Sequence, residues 1–187
     1  MTNGLIIKLS LFLILTVWIA YFSRASLRVP GSHGFYRFFA WECILGLFLL
    51  NVGEWFRNPF SRAQMISWPL LLVSTFLVLH AVFVLRRLGR QDSERRDVPL
   101  IGIEKTTRLV TEGAYRYIRH PLYSSLLFLA WGIFFKNATW QAGILSMAAT
   151  GFLVATAKAD EVESICFFGP SYREYMKRTK MFIPFLF

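Results

Sequence analysis

The densest group of chemically capable side chains lies at 115–123, where Arg119 and His120 directly precede Pro121. Proline suits the first turn of a helix, because its missing N–H costs no hydrogen bond there. The free N–H groups and partial positive charge of that helix start, joined by Arg119 and His120, predict a binding site for a carboxylate or phosphate. The alternative is an interfacial belt in which Tyr and Arg meet lipid headgroups.

A second group holds Asp160, Glu161 and Glu163, which are three of the 11 acidic residues. These carboxylates could bind the ribose hydroxyls or amine of a cofactor, or an amine substrate. The alternative is a solvated helix end that pairs with the arginines of the 86–120 loop. Acids at a helix C-terminus are opposed by the macrodipole. Either the helix continues past Glu163 or the acids have a functional role.

The composition shows what kind of molecule must position these groups. The chain has 187 residues, of which 55% are hydrophobic and 17% aromatic, and its net charge is +10. This excludes a disordered chain and argues against a soluble domain. Nucleic-acid binding would explain the charge but not the apolar runs, so we expect no nucleic-acid partner. The combination predicts an all-α integral membrane protein with basic loops.

Five apolar stretches predict about five transmembrane helices, and together they form a single transmembrane domain over 1–187. Three spans fall within 1–85, and the region 86–187 carries the loop, two further spans and the tail. Lys136 and Asn137 predict a tight turn, which makes the last two spans a helical hairpin. That hairpin returns His120 and Asp160 to one face, where donors and acceptors suit a zwitterionic ligand. The predicted spans are 5–22, 38–55, 66–85, 122–135 and 138–157.

The basic residues predict the orientation. With five spans, 17 of the 21 Lys and Arg residues fall on one side, which the positive-inside rule makes cytoplasmic. The N-terminus is then outside and the C-terminus inside. Lys8 is the only charge before the first apolar run, and no small-residue cleavage site follows that run, so we expect a retained helix rather than a signal peptide. The spacing of Cys43 and Cys166 predicts neither a metal site nor a disulfide framework.

Two ionisable residues inside predicted spans have open interpretations. Intramembrane His80 is a candidate functional group, but a neutral histidine bonded to a neighbouring helix is the more ordinary interpretation. Glu42 could line a path for substrate access or pair with Arg37.

Several motifs in order resemble one known family. These motifs are Gly113-x-Tyr115, Arg119-His120-Pro121-x-Tyr123, a hairpin, an acidic pair, Phe168-Gly169-x2-Tyr172-x2-Tyr175 and a late Pro184. Residues 80–187 thereby resemble the isoprenylcysteine carboxyl methyltransferase family, which is grouped with the membrane phospholipid methyltransferases.

The resemblance implies a bacterial-type, multi-pass enzyme of the inner membrane that uses S-adenosylmethionine in a cytoplasmic pocket closed by the tail. The acceptor would be lipophilic or lipid-linked, either an isoprenylcysteine-like carboxylate or a phospholipid amine, and membrane lipids would be partners. His120 would contact the carboxylate of the cofactor. The implied cofactor-binding residues are Gly113, Tyr115, Arg119, His120, Tyr123 and Glu161. The implied catalytic residues are Arg119, Asp160 and Glu161, and Tyr172 and Tyr175 would add to the pocket walls.

Two departures from the family pattern bear on this site. Asp160 stands where the family usually has Glu, which shortens its reach by one methylene that Glu163 could supply. Ser125 stands where Gly is frequent, which would change how closely the backbone approaches the cofactor. An amine acceptor would need a base such as Glu161, whereas a carboxylate would not. The competing functions are an NADPH-dependent membrane reductase of the sterol type and a non-enzymatic membrane scaffold.

Overall fold

The computed structural model describes residues 2–89 and 106–186, and 77% of these described residues are helical. Within the described residues the only β-type pairing is an isolated parallel bridge between Ile118 and Lys180, so the all-α prediction is confirmed. The α-helices are α1 (Thr2–Leu27), α2 (His33–Asn51), α3 (Arg62–Leu88), α4 (Pro121–Phe134), α5 (Trp140–Phe168) and α6 (Pro170–Arg178).

Four of these helices, α1, α2, α3 and α5, are long and apolar enough to cross a membrane, which confirms a helical membrane architecture. The fourth predicted span is shorter, because α4 has 14 residues. At about 1.5 Å per residue it extends roughly 21 Å, against about 30 Å for the hydrocarbon core. Helix α4 therefore needs protein around one end, and α2, α3 and α5 all pack against it.

The helix ends follow local sequence signals. Ser32, Ser61 and Thr139 cap α2, α3 and α5, because each side-chain oxygen accepts a backbone N–H from the first turn. Pro121 occupies the first turn of α4 as expected. The predicted tight turn is present, since the N–H groups of Lys136 and Asn137 donate to carbonyls of the last turn of α4.

Helix α5 extends beyond the predicted span 138–157, because it continues to Phe168. Of the two explanations for the acids at 160–163, continuation of the helix is therefore confirmed. Helix α5 ends only at Gly169, whose φ of 59° lies in the left-handed region that favours glycine. This extension lifts the acidic cluster beyond the apolar part of the helix and toward α6.

The core lies where α2, α4 and α5 meet. Ile44 and Leu47 of α2 pack against Ala130 and Ile133 of α4 in one buried cluster, and small residues of α5 complete it. Among the described helices, α1 packs mainly against α2. The most apolar stretch of α1 has no buried residue. Its apolar side chains face outward, as lipid contact requires.

Polar contacts hold the end of the bundle where α4 turns into α5. Lys136 is buried, donates to Gln64 Oε1 at 2.8 Å, and lies 3.2 Å from the centre of the Trp68 ring. Asn51 donates to the Ile133 carbonyl at 2.9 Å. These contacts satisfy backbone and side-chain groups that lipid could not, and they fix the short hairpin.

The C-terminal tail closes the opposite end. Arg119 N–H donates to the Lys180 carbonyl at 2.7 Å, and His120 N–H donates to the Met181 carbonyl at 3.2 Å. Phe182 follows and is fully buried against Tyr123 and neighbouring residues of α2 and α5. The tail is thereby fastened beside the start of α4.

Candidate active site

The α4–α5 hairpin brings His120 together with two acids that lie 40 and 41 positions later in the sequence. His120 Nδ1 is 3.3 Å from Asp160 Oδ2, and His120 Nε2 is 3.4 Å from Glu161 Oε1. The imidazole is buried and stacks on the ring of Tyr123, with centroids 5.4 Å apart. One ring thus bridges both carboxylates.

The electrostatics of this cluster favour a charged His120. Burial by itself would lower the pKa of His120, because it penalises the imidazolium. Hydrogen bonds that the ring donates to the Asp160 and Glu161 carboxylates, together with the negative charge of both acids, outweigh burial and raise the pKa of His120 above its usual range. A positive charge is therefore held at the start of α4, where the helix also offers free N–H groups.

Arg119 lies beside this cluster but is directed toward the tail. Its Nε donates to Glu161 Oε1 at 2.6 Å, and its Nη1 donates to the carbonyls of Met176 and Thr179. These carbonyls belong to the end of α6, where a cation is favourable. Arg119 therefore orients Glu161 and fastens α6 over the site.

Aromatic side chains form the walls. Tyr172 and Tyr175 are the buried residues of α6, and the Tyr175 hydroxyl donates to the Tyr115 carbonyl at 2.6 Å. Burial raises the pKa of both Tyr172 and Tyr175, so both stay neutral at physiological pH. Tyr123 hydrogen-bonds to the Asp160 carboxylate. The implied site residues Gly113, Tyr115, Arg119, His120, Tyr123, Asp160 and Glu161 therefore lie in one region.

Gly113 has a local structural reason to be glycine. Its φ is +60°, and a Cβ built on it would lie 2.5 Å from His80 Nε2. The same His80 nitrogen accepts the Ala114 N–H at 3.2 Å. The ordinary interpretation of His80, a neutral histidine bonded to a neighbouring element, matches this contact. His80 fixes the 3₁₀ turn Gly113–Arg116, which carries Tyr115 into the site.

These groups line a cleft between the end of α3, the start of α4 and helix α6. Its cavity volume is about 110 Å³, so in this conformation the cleft is narrower than typical small-molecule sites of roughly 300–1,000 Å³. Donors lie at the start of α4 and acceptors lie on α5. That set matches the carboxylate and ammonium of S-adenosylmethionine, while the tyrosines offer surfaces for an adenine ring. The lining residues include His33, Arg108, Tyr115, Arg119, His120, Tyr123, Asp160, Phe168, Tyr172 and Tyr175.

His33 was not among the predicted site residues, although it starts α2 and lines the same cleft. Both oxygens of the Glu163 carboxylate contact it: Oε1 accepts the His33 N–H at 2.9 Å and Oε2 bonds Nδ1. Glu163 is thus engaged by α2. The predicted topology places the start of the second span on the side that holds His120, and this was the signal that could have found His33.

His33, Asp160 and Glu163 also offer ligand atoms that all lie within 4.8 Å of one another, so they are the described residues that could hold a metal ion. The sequence predicted no metal site, and the absence of a metal remains a prediction.

The other singled-out residues have local contacts. Glu42 accepts a hydrogen bond from Thr16 of α1 at 2.6 Å. Ser125 is buried and donates to the Leu122 carbonyl within α4, so its hydroxyl is satisfied locally. Cys43 and Cys166 are both free thiols. The basic residues Arg90, Arg95, Arg96 and Lys105 lie outside the described residues.

The spanning helices, the short shielded hairpin and the polar cleft at one end define the class of the molecule as a helical membrane protein. No family model matches the chain. Curated relatives do match, and their names are those of methyltransferases.

Methanethiol S-methyltransferase of Crocosphaera subtropica is 28% identical over 129 residues, which cover 65% of this chain and 44% of that protein. Methanethiol S-methyltransferase 1 of Bradyrhizobium diazoefficiens is 30% identical over 63% of this chain and 39% of its own. Protein-S-isoprenylcysteine O-methyltransferase of Schizosaccharomyces pombe is 32% identical over 42% of this chain and 34% of its own.

These relatives confirm the resemblance to the isoprenylcysteine carboxyl methyltransferase family at modest identity. Their names also confirm the predicted enzyme class, a methyltransferase. The match spans less than half the length of each of these relatives.

Proposed function

We propose that this protein is a membrane methyltransferase that transfers a methyl group from S-adenosylmethionine to an acceptor at the cytoplasmic face of the membrane. The observation that carries the proposal is the meeting of His120 with Asp160 and Glu161 in a tyrosine-walled cleft. A charged imidazole beside two carboxylates at a helix start suits a zwitterionic amino acid group. The methyltransferase names of the relatives support the same reaction class.

In this proposal the chain's own residues bind and orient. The free N–H groups of the first turn of α4 hold the carboxylate of the methyl donor beside the positive charge of the His120 ring, and Asp160 holds its ammonium. Glu161 and Arg119 fix the tail, so that α6 excludes water from the cleft. When bound, S-adenosylmethionine supplies an electrophilic methyl group, which an acceptor must approach in line.

The acceptor reaches the cleft from the membrane side or from the cytosol, because the site lies at the end of the bundle. The resemblance favours a lipophilic or lipid-linked acceptor, while most relatives that match are named for methanethiol. Both kinds of acceptor partition into the interface where the cleft opens.

The test is methyl transfer by the full chain in lipid nanodiscs, with S-adenosylmethionine and separate acceptors: methanethiol, a farnesylcysteine peptide and phosphatidylethanolamine. We expect saturable S-adenosylmethionine binding that His120→Ala weakens by at least tenfold, and transfer to one acceptor class. The exposed Glu174→Gln on α6 is the matched control and should bind normally.

Two outcomes would overturn this proposal. Binding of NADPH in place of S-adenosylmethionine would support a reductase. Binding of neither cofactor, with no transfer to any acceptor, would support a scaffold.

A further inference from the structure

We propose that a second cavity, behind α6, binds the phosphate headgroup of an anionic phospholipid in the leaflet on the cleft side. This site is separate from the cleft, and its occupation does not depend on methyl transfer. The argument uses the size of the cavity, the excess positive charge around it and the exposed apolar side chains at its edge.

The cavity lies between α6 and the segment that leads into α4. Its volume is about 610 Å³, compared with about 110 Å³ for the cleft. It therefore falls within the size range of small-molecule sites, roughly 300–1,000 Å³. Leu109 and Tyr175 line both spaces, so they belong to the wall that the cavity and the cleft share.

The charged groups at this cavity are mostly positive. Arg116 and Arg178 line it, and Glu174 is the one acid among its described lining residues. Glu174 is already paired twice, with Arg178 at 3.0 Å and with Lys177 at 3.1 Å. The Arg116 guanidinium lies 5.9 Å from the centre of the Tyr117 ring and has no acidic partner within the described part of the chain. Three basic side chains therefore stand against one carboxylate, a pattern that favours binding of a phosphate.

Large apolar side chains at the edge of the cavity are exposed. Phe185 lines the cavity and is 84% exposed, and the neighbouring Leu186 is 78% exposed. The rings of Phe185 and Tyr117 lie 6.1 Å apart between centroids. Tyr117 stands four positions before Pro121, the first residue of α4, so at most about 14 Å separate it from the apolar helix. This edge therefore lies at the height of the lipid headgroups, where aromatic rings and arginines are both favourable.

The charge and the apolar edge together favour a lipid over a free anion. A free phosphate would contact only the basic side chains and would leave Phe185 and Leu186 in water. An anionic phospholipid offers a phosphate to the cations and acyl chains to the apolar side chains. Phosphatidylcholine carries the same phosphate but adds an ammonium group, which Arg116 and Arg178 repel. The site should therefore select a headgroup of net negative charge.

A bound headgroup would brace α6 from the side that faces away from the cleft. Thr179 lines the cavity, and its carbonyl accepts a hydrogen bond from Arg119. Tyr175, in the shared wall, donates to the Tyr115 carbonyl at 2.6 Å. A headgroup held by both cavity arginines would connect the segment before α4 to the end of α6, which are the segments that these two hydrogen bonds already join.

The test is lipid binding to the full chain in detergent, measured by native mass spectrometry with phosphatidylglycerol and with phosphatidylcholine. Each basic residue near an anionic headgroup contributes about fivefold to binding, so we expect one phosphatidylglycerol to bind at least about tenfold more tightly than phosphatidylcholine. Arg116→Gln combined with Arg178→Gln should abolish this preference, whereas the corresponding pair of lysine substitutions should keep most of it. Glu174→Gln should strengthen the preference by about two- to fivefold.

Arg57→Gln is the matched control. Arg57 is also an exposed arginine paired with a glutamate, Glu54 at 3.3 Å, but it lies in the loop between α2 and α3 at the other end of the bundle. This variant should leave the lipid preference unchanged. A second readout is hydrogen exchange of 171–179, which phosphatidylglycerol should slow in wild type and not in the double glutamine variant.

Equal affinities of the two lipids in wild type, an unchanged preference in the double glutamine variant, or the same loss in Arg57→Gln would overturn the proposal. Displacement of phosphatidylglycerol by millimolar inorganic phosphate or glycerol 3-phosphate would assign the cavity to a free phosphate compound and not to a lipid. A lowered thermal midpoint together with lost preference in the double lysine variant would make the two arginines structural.

Discussion

His120 shows how one side chain can link binding to protonation. Its ring contacts Asp160 on one nitrogen and Glu161 on the other. Burial opposes its charge, but the two carboxylates more than offset that effect. The folded protein therefore favours the charged imidazolium. Deprotonation of His120 should lower the stability of the protein and weaken anion binding.

The first prediction concerns pH. Because the folded-state pKa of His120 is raised, its stabilising charge is fully present below the ordinary value of about 6.5 and is lost as pH rises through the higher folded value. We expect the thermal midpoint in detergent to decrease as the pH rises above about 6.5, and S-adenosylmethionine binding to weaken in the same direction. In His120→Gln both slopes should flatten. An unchanged slope in that variant would assign the titration to another group.

Gly113 gives the second prediction. Gly113→Ala puts a Cβ 2.5 Å from His80 Nε2 at a φ of +60°, so we expect a loss of about 1–2 kcal/mol and weaker cofactor binding through Tyr115. Thermal unfolding and calorimetry measure both effects. Gly151→Ala in α5 is the control, because nothing lies within 4 Å of its added Cβ. Equal behaviour of the two variants would contradict this explanation.

At the scale of elements, the site is a junction of segments that are distant in sequence. The start of α4 supplies His120, the extended end of α5 supplies the acids, and α6 covers them. The tail returns to pair with 117–120 through backbone hydrogen bonds and through Phe182. The arrangement of the cleft therefore depends on contacts that lie outside it.

The third prediction tests the closure by the tail. Phe182→Ala removes a fully buried ring and should cost about 3–5 kcal/mol, with reduced protection of 179–183 in hydrogen exchange. Phe185→Ala is the matched control, because its ring is exposed. If Phe182→Ala binds S-adenosylmethionine with wild-type affinity, the tail does not shape the pocket.

Helix α6 gives a fourth prediction. Tyr175→Phe deletes the bond to the Tyr115 carbonyl but keeps the ring. We expect a loss of about 0.5–1.5 kcal/mol and a several-fold weaker S-adenosylmethionine affinity with a smaller change in kcat. Tyr117→Phe, on a half-exposed ring, should leave both unchanged. A drop in kcat alone would instead give the Tyr175 hydroxyl a direct role.

At the scale of the whole molecule, the outward apolar faces and the polar ends define how the bundle lies in a bilayer. Helices α1, α2, α3 and α5 can cross, whereas α4 is short and packs within the bundle. Among the described basic residues, Arg108 and Arg119 line the cleft, and Arg86 and Arg87 lie in the last turn of α3. We propose on that basis that the cleft is cytoplasmic and the N-terminus outside.

The fifth prediction tests this orientation. Cys166 is free and exposed on the cleft side, and Cys43→Ala leaves it as the single thiol. An impermeant maleimide should label Cys166 only after the membrane is opened. A second variant tests the opposite side. It combines Cys43→Ala and Cys166→Ala with Phe60→Cys, which lies in the exposed loop between α2 and α3, and it should be labelled on intact spheroplasts. The reverse pattern would invert the topology.

The sequence by itself determined the helical membrane class, the hairpin and the two polar clusters, because hydrophobic runs, capping residues and turn residues act over a few positions. It left open whether α5 continues past Glu163, since the polar last turns of this helix lie beyond its apolar run and pack against α6. It also missed His33, because nothing local links this residue to Glu163, which lies 130 positions away. Only the tertiary structure decided that pairing, the exchange of hydrogen bonds between Arg119 and the tail, and the fit of His80 against Gly113. Each depends on distances between helices, which the bundle sets as a whole.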